Sequence, residues 1–195
     1  MRPIPFLTSF RSLCILGVTA FLFISGFSTS AASQRRDYMN EEEIELVRDN
    51  QDIDLRIEVL IKMIDRRFTL LGIDVDGWKE REKDINKWGA PPRGTRLELA
   101  ADIRHLIVKA VDDLDVIAQR NSEALKQNKT EGKLFPKAVR SLEAAARRYA
   151  RPLADAADAS TTEYERGQFL NTLDLCEQII EAAGRLEAAG DSKTN

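Results

Sequence analysis

An all-α fold, a four-helix bundle in antiparallel, up-and-down order behind an N-terminal signal segment, is what this sequence predicts. Three observations carry it. Apolar residues recur at steps of three, four and seven in four separate stretches, the spacing that puts them on one face of a helix. Capping-box patterns open three of those stretches: Asn40 with Glu43, Thr95 with Glu98, and Ser160 with Glu163. No alternating segment has a hairpin turn or a second strand to pair with.

The first stretch, expected as one helix over about 40–71, organises the rest. Glu41, Glu42 and Glu43 place negative charge on the positive end of its dipole, and Gly72 can take the left-handed conformation that stops it. Leu46, Ile53, Ile57, Leu60, Ile64, Phe68 and Leu71 share one face, with Ile61 beside them. Asn50 interrupts that stripe, either as a buried amide that fixes register, as in a coiled coil, or as a partly wet position. Leu55, Val59, Met63 and Leu70 form a weaker stripe on the opposite side. A helix apolar on two sides is buried on two sides, so it is central in its own domain or its back meets another chain.

A long connection follows, from Gly72 to Gly94, with room for a short helix over 78–88 and a firm stop at Pro91, Pro92 and Gly94. A second helix is expected over about 95–121, with Leu99, Ile103, Leu106, Ile107, Ala110, Leu114 and Ile117 facing inward. Residues 121–133 read as a polar loop. The third helix, about 136–158, starts on Pro136 and carries an alanine-rich face whose phase passes through Pro152, which predicts a kink rather than a stop. The fourth spans about 161–188, with Phe169, Leu173, Cys176, Ile180 and Ala183 inward, and a frayed tail over 189–195.

Residues 1–33 have the make-up of a secretory signal. Arg2 and Arg11 give the positive start, Leu13–Phe27 is an apolar run of about 15 residues where a membrane span needs about 20, and small residues precede a cleavage point after Ala31 or Ala32. Residues 34–39 are a polar lead-in. An uncleaved anchor is the alternative, and only in that case would the chain touch a membrane. The mature chain is expected to be exported, periplasmic or secreted. The residues around Cys14 lack the lipoprotein pattern. Loss of the two arginines takes the formal charge from −3 to −5, which argues against a nucleic-acid partner. It leaves about 160 residues, enough for one domain. Cys176 alone remains of the cysteines, so no internal disulfide can form.

Few residues suggest chemistry. The single histidine, His105, lies about 200° around its helix from Ile103, on the side away from the core. Asp102 and His105 make a carboxylate-x-x-His pair, but a di-metal site needs two such pairs facing inward, and this one is expected to face out. A zinc site or a Ser-His-Asp triad would rest on His105 with no partner motif. Asp74, Asp76 and Gly77 resemble part of a calcium loop, yet alignment on Gly77 puts Gly72 and Lys83 where the first and last ligands belong. Asp112, Asp113 and Asp115 read as a charged outer face. No haem, P-loop or dinucleotide motif occurs, and no cofactor or metal is expected. Asn128-Lys129-Thr130 fits the short glycosylation pattern. Cys176, on the core stripe, reads as a small buried hydrophobe or a redox-sensing or dimer-forming thiol. Trp78 and Trp88, set among Lys79, Arg81, Lys83 and Lys87, form a lid or partner-binding patch or anchor the connection to the bundle. The pairs Arg66-Arg67 and Arg147-Arg148 precede Phe68 and Tyr149 and are expected to lay their stems over the core's edge.

The residues Tyr38 to Phe68, the Lys87-Trp88-Gly89 turn and the run Cys176 to Ala183 together resemble a group of exported, all-helical bacterial proteins of uncharacterised activity. The resemblance implies the fold over most of the mature chain and no mechanism.

The sequence therefore points to a non-catalytic, exported helical bundle that acts by contact with another protein or with itself. Leu55, Val59, Met63, Leu70, Trp78 and Trp88 are the candidate contact residues. The alternatives are a carrier of a small apolar ligand between the helices and an enzyme built on Asp and Glu alone, which would need two carboxylates converging in a cleft.

Overall fold

The computed structural model describes residues 36–120 and 131–191. The expected signal segment, the Asn128-Lys129-Thr130 pattern, most of the polar loop and the last residues of the tail lie outside them. Contacts divide the chain into Met1–Arg36 and Asp37–Asn195, and the architecture below is that of the second unit.

Among the described residues there are six helices and no strands: α1 (Glu41–Asp49), α2 (Ile53–Leu70), α3 (Ile85–Trp88), α4 (Arg96–Arg120), α5 (Glu131–Asp158) and α6 (Glu163–Asp191), with a 3-10 turn at Glu82–Asp84 before α3. The expected helix over 40–71 is two helices. Asn50 leaves the helical region (φ −95°, ψ 89°) and turns its side-chain amide back onto the Leu46 carbonyl at 2.6 Å, closing α1. Its own carbonyl accepts from Arg56 Nε at 3.0 Å, and Asp52, in extended conformation, starts α2. Asn50 thus breaks the helix rather than fixing its register, because its amide competes with the backbone ladder.

The ends obey local rules. Asn40 and Glu43 form both halves of a capping box, as do Thr95 and Glu98. Gly72 (φ +72°) ends α2 in a Schellman turn: Ile73 N–H donates to the Phe68 carbonyl at 2.9 Å and Gly72 N–H to Thr69 at 3.0 Å. The last box is not the one expected. Ser160 Oγ donates to the Ala156 carbonyl at the end of α5, and Thr162 Oγ accepts from Glu165 N–H at 3.2 Å at the start of α6. α5 begins at Glu131, ahead of Pro136, and runs unbroken through Pro152.

α2, α4, α5 and α6 make the bundle. Direction alternates as expected, but neighbours do not follow chain order. The start of α4 lies at the end of α2, where Arg96 donates to the Leu71 carbonyl at 3.4 Å, so this pair is antiparallel. α5 runs parallel to α2: Lys137 reaches Asp54 at one level and Tyr149 reaches Asp65 at the next. α6 runs parallel to α4, since Arg96 pairs with Glu165 and lies over the Phe169 ring at 5.4 Å. Around the bundle the order is therefore α2, α4, α6, α5, and α4 and α5, consecutive in the chain, stand on the diagonal.

The predicted stripes form the core. Ile57, Leu60, Ile64 and Phe68 of α2, Ile103, Leu106 and Ala110 of α4, Leu142, Tyr149 and Leu153 of α5, and Phe169, Cys176 and Ala183 of α6 are all buried. Ala145, Ala146 and Ala183 retain 1–2% exposure, so the small side chains draw helices together instead of leaving space. No helix among the described residues is long and apolar enough to cross a membrane.

Candidate functional site

The chemistry the sequence hides lies where α1, α2 and the 72–95 connection meet. Two adjacent arginines on α2 are buried there rather than lying along the core's edge. Arg67 is bidentate to Glu43 of α1, Nη1 to Oε1 at 2.5 Å and Nη2 to Oε2 at 2.6 Å, and it also donates to the carbonyls of Met63 (3.1 Å) and Tyr38 (2.7 Å). Arg66 uses all five N–H groups of its fork. Nε and one Nη2 hydrogen hold Glu80, at 2.9 and 3.1 Å, and Nη1 reaches Glu43 at 3.2 Å. The remaining two take the carbonyls of Trp88 (2.9 Å) and Gly89 (2.7 Å). Asn40 closes the ring from outside by donating to the carbonyls of Trp88 and Ala90, each at 3.1 Å.

Two guanidinium charges thus meet two carboxylates, and the network is neutral. Buried charges survive when paired and hydrogen-bonded in this way. Its product is mechanical: the N-terminal helix and the far end of a long connection are both bolted to α2. Trp88 completes the fastening, buried at 3% exposure with its ring 5.0 Å from that of Trp78.

A second polar group adjoins it, on the residue before Arg66 in α2. Asp65, buried on α2, accepts from Tyr149 Oη at 2.6 Å and from Trp78 N–H at 2.8 Å, and the Arg148 guanidinium stands 3.7 Å away. Burial first, then the Asp65 charge and hydrogen bond, push the Tyr149 hydroxyl well above its usual range, so it stays a donor. Gly77 passes so close that a Cβ there would sit 2.5 Å from Asp65 Cγ and 2.6 Å from Arg148 Nη1. Beside it Asp76 takes a positive φ of 49°, its N–H bonded to Asp74 Oδ1. The loop over 76–78 roofs the groove between α2 and α5, leaving a cleft of about 360 Å³ lined by Glu58, Ile61, Lys62, Trp78 and Arg148.

Of the contact residues read from the sequence, Val59 (7% exposed), Met63 (0%) and Trp88 are buried in the chain's own core and present no outer surface. The reason is that α2 is flanked by α4 and α5, with α1 and the connection over its end, so the middle of the second stripe is covered from within. Leu55 and Leu70, each 41% exposed, and the half-buried Trp78 remain accessible. The structure does not bring Leu55 and Leu70 together: about 22 Å of helix separates them.

The other chemical candidates resolve as follows. His105 is exposed, as expected, with the Tyr38 ring 5.3 Å from it, while Asp102 is buried at 4% instead of facing out. Asp112 and Asp115 are exposed and Asp113 is half-buried beside Lys109. Burial pushes the Cys176 thiol up to about 12. No group of three or more His, Cys, Asp or Glu side chains among the described residues could hold a metal ion.

No family model, no curated protein and no solved structure is similar to this chain.

The buried arginine network was not legible from the sequence. Glu43 looked like a capping residue, and it is one, since Oε2 also accepts from Asn40 N–H at 3.2 Å. Its second role depends on residues 23 and 24 positions away, for which periodicity gives no signal. The usable hint was a pair of arginines in the most apolar helix, next to Phe68 on the inward stripe.

Proposed function

We propose that the chain is an exported, non-catalytic helical bundle that works by contact with another protein or with a second copy of itself. The observation that supports this best is the fixing of the connection. A segment this long is unusual in a compact bundle. Here it is held at Trp88 and Gly89 by Arg66 and at Trp78 by Asp65, which leaves a firm ledge with an aromatic ring at its rim. Pre-ordering a surface in this way lowers the entropy cost of docking. Polar groups that could do acid–base work are spent on the ledge itself: Glu43, Asp65 and Tyr149 are each committed to structural bonds. The close packing at Ala145, Ala146 and Ala183 counts against a carrier of apolar ligands.

Site-specific photo-crosslinking in the producing cell tests the reading. A photoreactive residue at Trp78 is expected to capture a discrete adduct that the same probe at Leu186, 54% exposed on α6 across the bundle from α2, does not. Equal or absent capture at both positions would count against it. Export is checked by N-terminal sequencing of the protein recovered from the periplasm or medium, which is expected to begin just after Ala31 or Ala32.

A further inference from the structure

We infer that α1 is an exchangeable arm: it leaves its own α2 and takes the matching seat on a second copy of this chain, in a dimer whose two-fold axis passes beside Leu55. The inference rests on the contact reading above and fixes the partner as a second copy.

The bonds that hold the arm run to other elements. Glu43 pairs with Arg67 and Arg66 of α2, and the Tyr38 carbonyl accepts from Arg67. Asn40 donates to the carbonyls of Trp88 and Ala90 in the connection. None of these bonds depends on which copy supplies the arm. Release of the arm into water would leave the buried Arg67 without its carboxylate, a cost that exchange avoids. A foreign helix would need the same Asn40 and Glu43 at the same spacing, and a second copy brings them already.

The hinge is short. Only Asn50, Gln51 and Asp52 join the arm to α2. Their pattern is that of a helix: Leu46, Asn50, Ile53 and Ile57 stay in phase, and no glycine or proline occurs from Glu41 to Leu70. What bends the chain is the Asn50 amide on the Leu46 carbonyl. Asp52 starts α2 without a side-chain cap. A straight helix through the hinge would give the first N–H groups of α2 the carbonyls of Asp49, Asn50 and Gln51. Short hinges of this kind are where arms exchange between copies.

Leu55 is an independent observation that points the same way. At about 100° per residue it lies on the same side of α2 as Val59, Met63 and Arg66. Val59 and Met63 are buried, whereas Leu55 is 41% exposed. Position 55 is also midway between Glu43 and Arg67. When straight antiparallel helices pair Glu43 of each copy with Arg67 of the other, Leu55 meets the partner's Leu55. The exchange thus covers an apolar side chain that the monomer leaves bare.

The test uses the mature chain, refolded from urea at high concentration and followed by sedimentation equilibrium. A dimer is expected. Asn50→Ala removes the bond that bends the chain and should raise the association constant on the order of tenfold. Asp52→Pro should abolish the dimer and leave the urea midpoint of the monomer near that of the wild type. Asp52 already has a φ of −67°, which suits proline, while proline would break a straight helix there. Leu55→Cys should join two chains by a disulfide under mild oxidation, and Ile85→Cys, 46% exposed on α3, should not. A monomer at every concentration in both the wild type and Asn50→Ala would overturn the inference. So would a dimer that Asp52→Pro leaves intact, or one that Leu55→Cys does not link. A monomer that still gives a discrete adduct from position 78 with a different protein would sink this inference and leave the contact reading standing.

Discussion

Arg67 and Glu43 face each other through two parallel hydrogen bonds of 2.5 and 2.6 Å, both side chains at 0% exposure. The pair joins α1 to α2, and Arg66 extends it to the connection. Arg67 Nε is buried without a partner, so the network already carries one unmet donor. Removing Glu43 would strand the Arg67 cation, while Arg66 keeps Glu80.

Glu43→Ala is accordingly expected to cost about 3–5 kcal/mol, the range for breaking a buried ion pair by deleting one member. Glu43→Ala combined with Arg67→Met should cost less than the first change alone, because it deletes the charge left behind. Urea unfolding followed by circular dichroism measures both. Equal stability of the single variant and the wild type would show that the pair contributes nothing net.

Two glycines separate strain from crowding. Gly72 needs its positive φ but has open space around it, so Gly72→Ala should lose about 1 kcal/mol and leave the ledge intact. Gly77 has no room, so Gly77→Ala should displace Arg148 and the Trp78 N–H from Asp65. Near-ultraviolet circular dichroism of the coupled Trp78 and Trp88 rings is expected to change in the second variant and not in the first.

Asp54 and Lys137 tie α2 to α5 at 2.6 Å. The hydrogen bond from Lys137 holds the Asp54 carboxyl below its ordinary value against the opposing effect of burial. A depressed carboxylate contributes stability that is present above its unfolded value and lost as pH falls through the folded one. Lys137 is raised by the same hydrogen bond, so its share is present below its unfolded value and lost as pH rises through the folded one. Asp54→Asn should therefore flatten both limbs of a stability-against-pH curve measured by urea midpoint. Unchanged limbs would mean that the pair is not coupled to folding.

Cys176 is 0% exposed, with its thiol pushed up to about 12 by burial and secondarily by Glu177. The thiolate is the reactive form, so native protein should resist iodoacetamide at neutral pH and react once unfolded. Peptide mapping by mass spectrometry at Cys176 decides it. Rapid native labelling would restore the redox-sensing role.

What the sequence revealed and what it concealed divide along physical lines. Periodicity reports burial along one helix, so Ile57, Leu60, Ile64, Phe68 and Ile103 were placed correctly in the core. Periodicity does not say what covers a second stripe. Val59 and Met63 looked available to another chain, yet the bundle's own elements cover them, because the parallel neighbour α5 lies beside α2 and the connection folds back. Asn50 was in phase and so read as helical, although its amide could equally cap, and did. Trp88 anchors the connection, one of the two roles its surroundings allowed, while the rim position of Trp78 depends on a long-range hydrogen bond to Asp65.

The fork of Arg66 touches only residues between Glu43 and Gly89, all from the first half of the chain. That half can therefore fasten its own ledge before α5 and α6 have been made. When the later hairpin loosens, α1, α2 and the connection should exchange their amide hydrogens in step, as one opening unit distinct from the rest of the molecule.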